Sequence, residues 1–227
     1  MRRLCFLLIL YLSICLKSYA HLGHYNTLNN LEYELFRNDK LIGYHNYNFK
    51  RDGDNLLIKS EIEFNISKLG INLYKYEAKS EEYYKKGKFI KFSAKTFQND
   101  KEKYAKIDFL KDKNKLKIDG SSYKGEADVN FIVGTWWNHE IVDAEAQISA
   151  VSGRIIHQKV TFLGKEKLNI NGKIFNTLRY NFSSSDMNLP EKKRLNTDIW
   201  YDETTKIWIK ASFDKMGYWE YRIKNYN

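Results

Sequence analysis

The sequence predicts an all-β protein: a mainly antiparallel, long-stranded meander forming a strongly curved sheet or partly closed barrel, with one short helix near residues 137–146. Three observations carry this. Hydrophobic side chains recur at every second residue over several long runs, the period of a strand with one buried and one wet face. Turn-forming pairs fall between those runs. Aromatic residues are abundant, with 17 Tyr and 13 Phe in 227 residues, and rings fill a wide curved interior at little rotamer cost.

The first element is not part of that sheet. Arg2 and Arg3 precede an apolar stretch from Leu4 to Leu16, and Ser18-Tyr19-Ala20 places small residues where a signal peptidase reads. Residues 1–20 are therefore expected to be a cleaved secretory leader, its apolar run too short for a finished membrane span. An uncleaved anchor is the alternative; a lipoprotein reading fails at Ile14, too bulky for the position before a modified Cys15. Cys5 and Cys15 are the only cysteines and both lie in the leader, so the mature chain carries neither a disulfide nor thiolate chemistry. Export predicts a periplasmic location and argues against nucleic acid as a partner. No later apolar run approaches membrane length.

Residues 21–227 suffice for one β domain with its own core. The formal charge of +10 becomes +7 once Arg2, Arg3 and Lys17 are removed. Lysines alternate with acids, as in Lys59-Ser60-Glu61 and Lys79-Ser80-Glu81, which is the pattern of a solvated sheet face rather than of a polyanion site.

A first set of strands, about 28–119, opens with the alternation Leu31-Glu32-Tyr33-Glu34-Leu35 and continues through Leu56 to Ile66, where Lys59, Glu61, Glu63 and Asn65 take the wet positions. Arg51-Asp52-Gly53-Asp54 and Lys86-Gly87 are turns, with Asn38-Asp39 and Asp112-Lys113-Asn114 as weaker ones. Residues of about 120–150, with Gly125, Gly134, Trp136-Trp137 and a helix-compatible Asn138 to Ala146, break the rhythm and read as a crossover. A second set, about 151–225, contains Ile174 to Phe182 and Ile207 to Phe213, with Asn171-Gly172 as a strong hairpin turn and Asp214-Lys215-Met216-Gly217 as another. Pro190, the only proline, sits in a polar loop from Ser183 to Arg194.

Four groups of residues have chemistry to offer. His21 and His24, with the new N-terminal amine, present three nitrogens to a copper or zinc ion, though a frayed terminus that binds nothing explains them too. Thr135-Trp136-Trp137-Asn138-His139 places adjacent tryptophans on different faces; either they line a groove with His139 and stack on a sugar or an apolar tail, or they plug the barrel as core. Trp200, Trp208 and Trp219 share that ambiguity, and because Trp208 and Trp219 share parity with polar neighbours, Lys210 and Tyr221 respectively, they are expected as an exposed aromatic ladder. His157 and His45 read as solvated or locally hydrogen-bonded, since no serine or cysteine is placed for them to activate. Asp198, Asp202 and Glu203 around Trp200-Tyr201 suggest a carboxylate pair, but turn capping accounts for them as well. No cofactor motif is present.

The run Leu31 to His45, with Leu41-Ile42-Gly43 closing its hairpin, resembles the opening of exported bacterial proteins grouped as domain of unknown function 6134. The tryptophans at 136 and 137, and Asp198-Ile199-Trp200-Tyr201-Asp202 followed by a hairpin from Phe213 to Tyr221, are similar to its later landmarks; Asn38-Asp39-Lys40 lacks the usual turn glycine. The resemblance implies a periplasmic curved-sheet protein and brings no catalytic residue with it. The expected function is a non-enzymatic module sheltering an apolar or amphiphilic envelope ligand. An envelope enzyme acting on glycan through Asp198, Asp202 or His139, and a protein-interaction module working through a strand edge, are the alternatives.

Overall fold

The computed structural model describes residues 25–227, apart from the side chain of Lys192. The leader with its two cysteines, and His21 and His24, lie outside the described residues.

The fold follows from the periodic runs. The N-terminal set forms β1 (Asn30–Arg37), β2 (Lys40–Asp52), β3 (Asn55–Lys68), β4 (Ile71–Lys85), β5 (Lys88–Gln98), β6 (Lys101–Leu110), β7 (Lys115–Gly120) and β8 (Lys124–Asp128). The C-terminal set forms β11 (Ile155–Ile170), β12 (Lys173–Ser184), β13 (Asn196–Asp202), β14 (Trp208–Asp214) and β15 (Tyr218–Tyr226). Between them run β9 (Ile132–Val133), a 3-10 turn His139–Val142 and β10 (Ala146–Ile148). The expected helix is thus a single four-residue turn, capped by Asn138, whose side chain accepts from the Glu140 N–H. It ends there because Ala146 to Ile148 are drawn into the sheet, β10 pairing with β11 antiparallel and with β9 parallel.

All fifteen strands form one sheet in the order β8-β7-β6-β5-β4-β3-β2-β1-β15-β14-β13-β12-β11-β10-β9. Each set is a meander, and the two are joined where β1 pairs with β15, Leu31 opposite Tyr226 and Arg37 opposite Trp219. Two-residue turns make the meander possible. Asn38-Asp39, Leu69-Gly70, Lys86-Gly87 and Asn171-Gly172 all have positive φ at both residues, the geometry whose twist matches that of the flanking strands. Asn38-Asp39 therefore makes a tight turn without glycine, at φ of 48° and 59°, because short polar side chains tolerate the left-handed region.

So wide a twisted sheet curls, and bulges sharpen the curl. Register shifts fall between Leu35 and Phe36, Tyr83 and Tyr84, Phe162 and Gly164, and Trp200 and Tyr201. Gly43 sits at the first of these, where a Cβ would lie 2.0 Å from the Glu63 carbonyl oxygen. The seam between the two sheet edges is bridged by the crossover: Ser122 N–H donates to the Ser152 carbonyl (2.9 Å), and Gly120 packs against Ser152 and Gly153.

The inner face holds two apolar clusters. The larger joins β1–β3 and β12–β15 through Leu31, Tyr33, Leu35, Ile58, Phe182, Ile199 and Ile223. The smaller lies under β5–β8, with Phe92, Ile107, Leu116 and Ile118 against Val133 and Ile148. Phe89 packs against both. Among the described residues no helix is long and apolar enough to cross a membrane.

Candidate functional site

The Thr135–His139 segment is a plug, inserted into the curved sheet and held there by polar bonds from four directions. Tyr47 Oη donates to the Thr135 carbonyl (2.5 Å), Tyr201 Oη to the Trp136 carbonyl (2.9 Å), and the His139 N–H donates to Tyr25 Oη (3.0 Å). Trp137 Nε1 donates to Glu82 Oε2 (2.9 Å). The hydroxyls of Tyr47 and Tyr201 sit at the ends of buried rings on inward strand positions, so the alternation that builds the core also aims these donors, while Tyr25 reaches in from the segment before β1. Burial in turn holds the phenols of Tyr33, Tyr47 and Tyr201 protonated, raising them well above their ordinary range.

The two tryptophans diverge as adjacent residues must. Trp137 is fully buried, edge-on to Tyr25, Phe49 and Tyr84 at 5.3, 5.4 and 5.9 Å. Trp136, at φ 60°, turns the other way to meet Trp208 and Tyr221. It lines a partly open cavity of about 200 Å³ with His45 and Tyr221. His139 packs edge-on against Tyr201 at 4.8 Å. Of the two readings open for this segment, the core one describes its geometry.

Glu82 escapes sequence reasoning. It is a buried carboxylate whose hydrogen-bond donors among the described residues are all neutral: Trp137 Nε1, Tyr84 Oη (2.5 Å) and Thr135 Oγ1 (3.3 Å). Burial raises its pKa, partly offset by those three bonds. The available signal was parity, since Glu82 follows Tyr76, Ala78 and Ser80 on one face of β4 and precedes Tyr84. His45 is also on the inner face rather than in solvent. Its Nε2 meets Ser60 Oγ at 2.8 Å, Nδ1 has no hydrogen-bond partner among the described residues, and burial pushes its pKa down to about 3. His157 is exposed, as expected.

The expected exposed ladder of Trp208 and Trp219 is corrected. Trp208 pairs with Tyr201 while Lys210 pairs with Trp200, so Ile209 is an extra residue and Trp208 turns to the opposite face from Lys210. It is fully buried, stacked on Tyr33 at 4.1 Å. Trp219 is half-buried, stacked on Phe213 and edge-on to Phe64. Trp200 does lie on the outer face, but it is buried there beside its two cross-strand cations, Arg179 at 4.8 Å and Lys210 at 5.0 Å from the ring. Its Nε1 donates to Glu166 (2.8 Å).

The acids around it are structural. Asp198 is held by Arg179 (2.5 Å) and Asn181 (2.7 Å), Asp202 accepts from the Thr204 and Thr205 N–H groups, and Glu203 pairs with Lys165. Asp198 lies on the opposite face of β13 from Tyr201, against which His139 packs, so the sheet separates these two.

Two open concavities remain. One, of about 890 Å³, lies on the outer face across β1–β7. Its charges are already matched, Lys59 with Glu81 (2.7 Å), Lys79 with Glu61 (3.0 Å) and Lys95 with Glu102 (3.1 Å), as on a solvated face. The other, of about 1180 Å³, opens between the β4–β5 and β6–β7 turns and the crossover. Tyr84, Phe89, Phe109, Leu116, Phe131 and Ile132 give it apolar walls, while Asp128, Glu140, Asp143 and Glu145 stand around it. None of the six residues expected to bind a ligand lines this groove; the plug carrying three of them forms part of its support through Asn138. Among the described residues no cluster of His, Cys, Asp and Glu could hold a metal ion.

Comparison with solved structures finds the same architecture elsewhere. A β-barrel-like protein of domain of unknown function DUF1849 from Brucella abortus is similar over 88% of this chain and 97% of its own, with a TM-score of 0.60 at 11% identity. A DUF1329 family protein from Desulfovibrio piger ATCC 29098 aligns over 91% and 88% at 9% identity, but with a TM-score of only 0.22. No curated protein matches the chain significantly. The family described as Domain of unknown function (DUF6134) matches residues 33–224, from the second inward residue of β1 into the last third of β15, and the chain belongs to that family.

Proposed function

We propose that this protein is a non-enzymatic periplasmic module that shelters an amphiphilic ligand in the groove beneath β4–β7. The supporting observation is the groove itself, about 1180 Å³ of open space walled by Phe89, Phe109 and Phe131, somewhat larger than the roughly 300–1,000 Å³ usual for small-molecule sites and so roomy enough for a long amphiphile. Its four carboxylates at 128, 140, 143 and 145 outnumber the one cation of the lining, Lys88, and favour a ligand whose polar end is cationic or donates hydrogen bonds, with an apolar body lying on the rings. Phe89, in contact with both core clusters, gives the floor a rigid backing. The glycan-enzyme alternative loses support because Asp198 and Asp202 are engaged structurally and Asp198 is across the sheet from His139.

A fluorescent apolar probe such as N-phenylnaphthylamine tests this. Dodecylamine should displace it at least about tenfold more effectively than dodecyl sulfate, since the reacting charges differ in sign at a carboxylate rim. Phe131→Asp should abolish probe binding without lowering the unfolding midpoint appreciably, because the residue is only partly buried. Equal displacement by both detergents, or an unaffected Phe131→Asp variant, counts against the reading. The location rests on the leader; cell fractionation with N-terminal sequencing should find a periplasmic protein beginning at His21, and a cytosolic protein retaining Met1 refutes it.

A further inference from the structure

The two ends of the sheet are chemically different. Because neighbouring strands are antiparallel, the β1–β2, β3–β4 and β14–β15 turns share one rim, while the β2–β3, β4–β5, β11–β12 and β13–β14 turns share the other. The second rim carries ordinary turn residues at its tips, Gly53-Asp54, Lys86-Gly87, Asn171-Gly172 and the Asp202-capped Thr204-Thr205, with Ile174 beside the β11–β12 turn as its exposed aliphatic. The first carries Lys68-Leu69-Gly70-Ile71 and Lys215-Met216-Gly217-Tyr218, the same order of cation, apolar residue, glycine and apolar residue at two hairpin tips. Leu69 is 93% exposed and Met216 88% exposed. Ile71 and, at the β1–β2 turn between them in the sheet, Leu41 are exposed as well.

Folding does not ask for these residues. Leu69 and Met216 have φ of 53° and 54°, a conformation that asparagine or glycine adopts more cheaply than a large side chain. Each tip therefore holds a residue that is unfavourable for its backbone and apolar in full contact with water. A local rule broken twice in the same way, at one end of one sheet, marks a surface whose partner is outside the fold.

The charge at this rim identifies the partner. Lys103, Arg154 and Lys215 come from β6, the residue before β11 and the β14–β15 turn; burial is the main cause that makes Lys215 easier to deprotonate, and the nearby charges of Arg154 and Lys103 add to it. A like-charge cluster beside protruding apolar tips suits a surface that is anionic and has an apolar layer beneath it. Separate knobs on convex hairpins, rather than a flat contiguous patch, suit insertion between lipids better than a protein interface. We propose that this rim docks the protein on an anionic phospholipid bilayer, with Leu69, Ile71 and Met216 entering the headgroup–acyl boundary and the cations pairing with lipid phosphates. The groove opens at the other end of the strands and plays no part in this contact.

Vesicle co-sedimentation tests it, with the folded protein as recovered from expressing cells and variants prepared alike. Binding is expected to phosphatidylcholine vesicles containing about one third phosphatidylglycerol, and to fall steeply with salt, with little binding to phosphatidylcholine alone. Leu69→Asn combined with Met216→Asn should lower the partition coefficient about tenfold or more while leaving the unfolding midpoint equal or higher, since asparagine suits both backbones. Lys103→Glu with Lys215→Glu should abolish the preference for anionic vesicles. The proposal is overturned if the wild type ignores both vesicle types, if it binds both equally, or if the double asparagine variant binds as the wild type does.

Discussion

Glu82 and His45 are the two titratable side chains on the inner face with the largest consequences, and they act in opposite directions with pH. His45 has a folded pKa of about 3 against about 6.5 in an unfolded chain, so its contribution to stability is complete above the unfolded value and is lost as pH falls through that window. Glu82 has a raised folded pKa, so its contribution is complete at low pH and declines as pH rises above the ordinary carboxyl range of about 4.3. Comparing wild type with His45→Gln isolates the histidine: between pH 7 and pH 5 the wild type should lose about 2 kcal/mol more in urea unfolding. Removing the carboxylate is more damaging. Glu82→Ala strands Trp137 Nε1 and Tyr84 Oη in the core and should cost about 3 kcal/mol, seen as a lower urea midpoint. Gly43→Ala should cost a similar amount, about 3 kcal/mol, because the new Cβ meets the backbone of β3 and not a side chain able to yield.

At the scale of elements, the hairpin turns show how far local chemistry governs the strands. Asn171-Gly172 places both residues where their φ values of 52° and 81° are easily accommodated, so Gly172→Ala should lose about 1 kcal/mol by thermal melting. Leu69→Asn should gain about 1 kcal/mol at the corresponding position of the β3–β4 turn, the reverse of what removing an apolar residue does in a core. The β14 bulge is the element that sequence alone concealed. One extra residue, Ile209, sends Trp208 inward onto Tyr33 and lets Tyr33 Oη donate to the Trp208 carbonyl at 2.7 Å. Deleting Ile209 would remove the bulge and set Trp208 directly beside Lys210, where strand alternation still turns it inward opposite Tyr201; an unshifted tryptophan emission is the expected result, and a red shift would show that the bulge itself is needed to bury the ring.

For the whole molecule, the pairing of β1 with β15 turns two meanders into one sheet, across nearly the full length of the chain. Leu31, Tyr33 and Leu35 of β1 are buried in the same cluster as Ile199, Ala211 and Ile223 from the far end of the sequence. Neither set can cover its apolar face alone, because each supplies one wall of the interior into which the Thr135–His139 plug fits. Truncation after Asp214, which removes β15, should therefore abolish the near-ultraviolet dichroism and the cooperative urea transition rather than merely lower the midpoint.

The all-β class, the meander and most turn positions were legible because they depend on neighbours in sequence: alternation along Leu56 to Ile66, Asn-Gly at 171–172, Lys-Gly at 86–87. Even the readings of Trp136-Trp137 were bounded by local geometry, since adjacent side chains must part. What sequence could not supply were the facts that depend on residues far apart in the chain. The burial of Glu82 and Trp208 and the gathering of Lys103 with Arg154 and Lys215 all depend on contacts between separate elements. Periodicity specifies which face of a strand is apolar; bulges, curl and the pairing of β1 with β15 decide which side chains that face finally brings together, because each depends on geometry summed over the whole sheet.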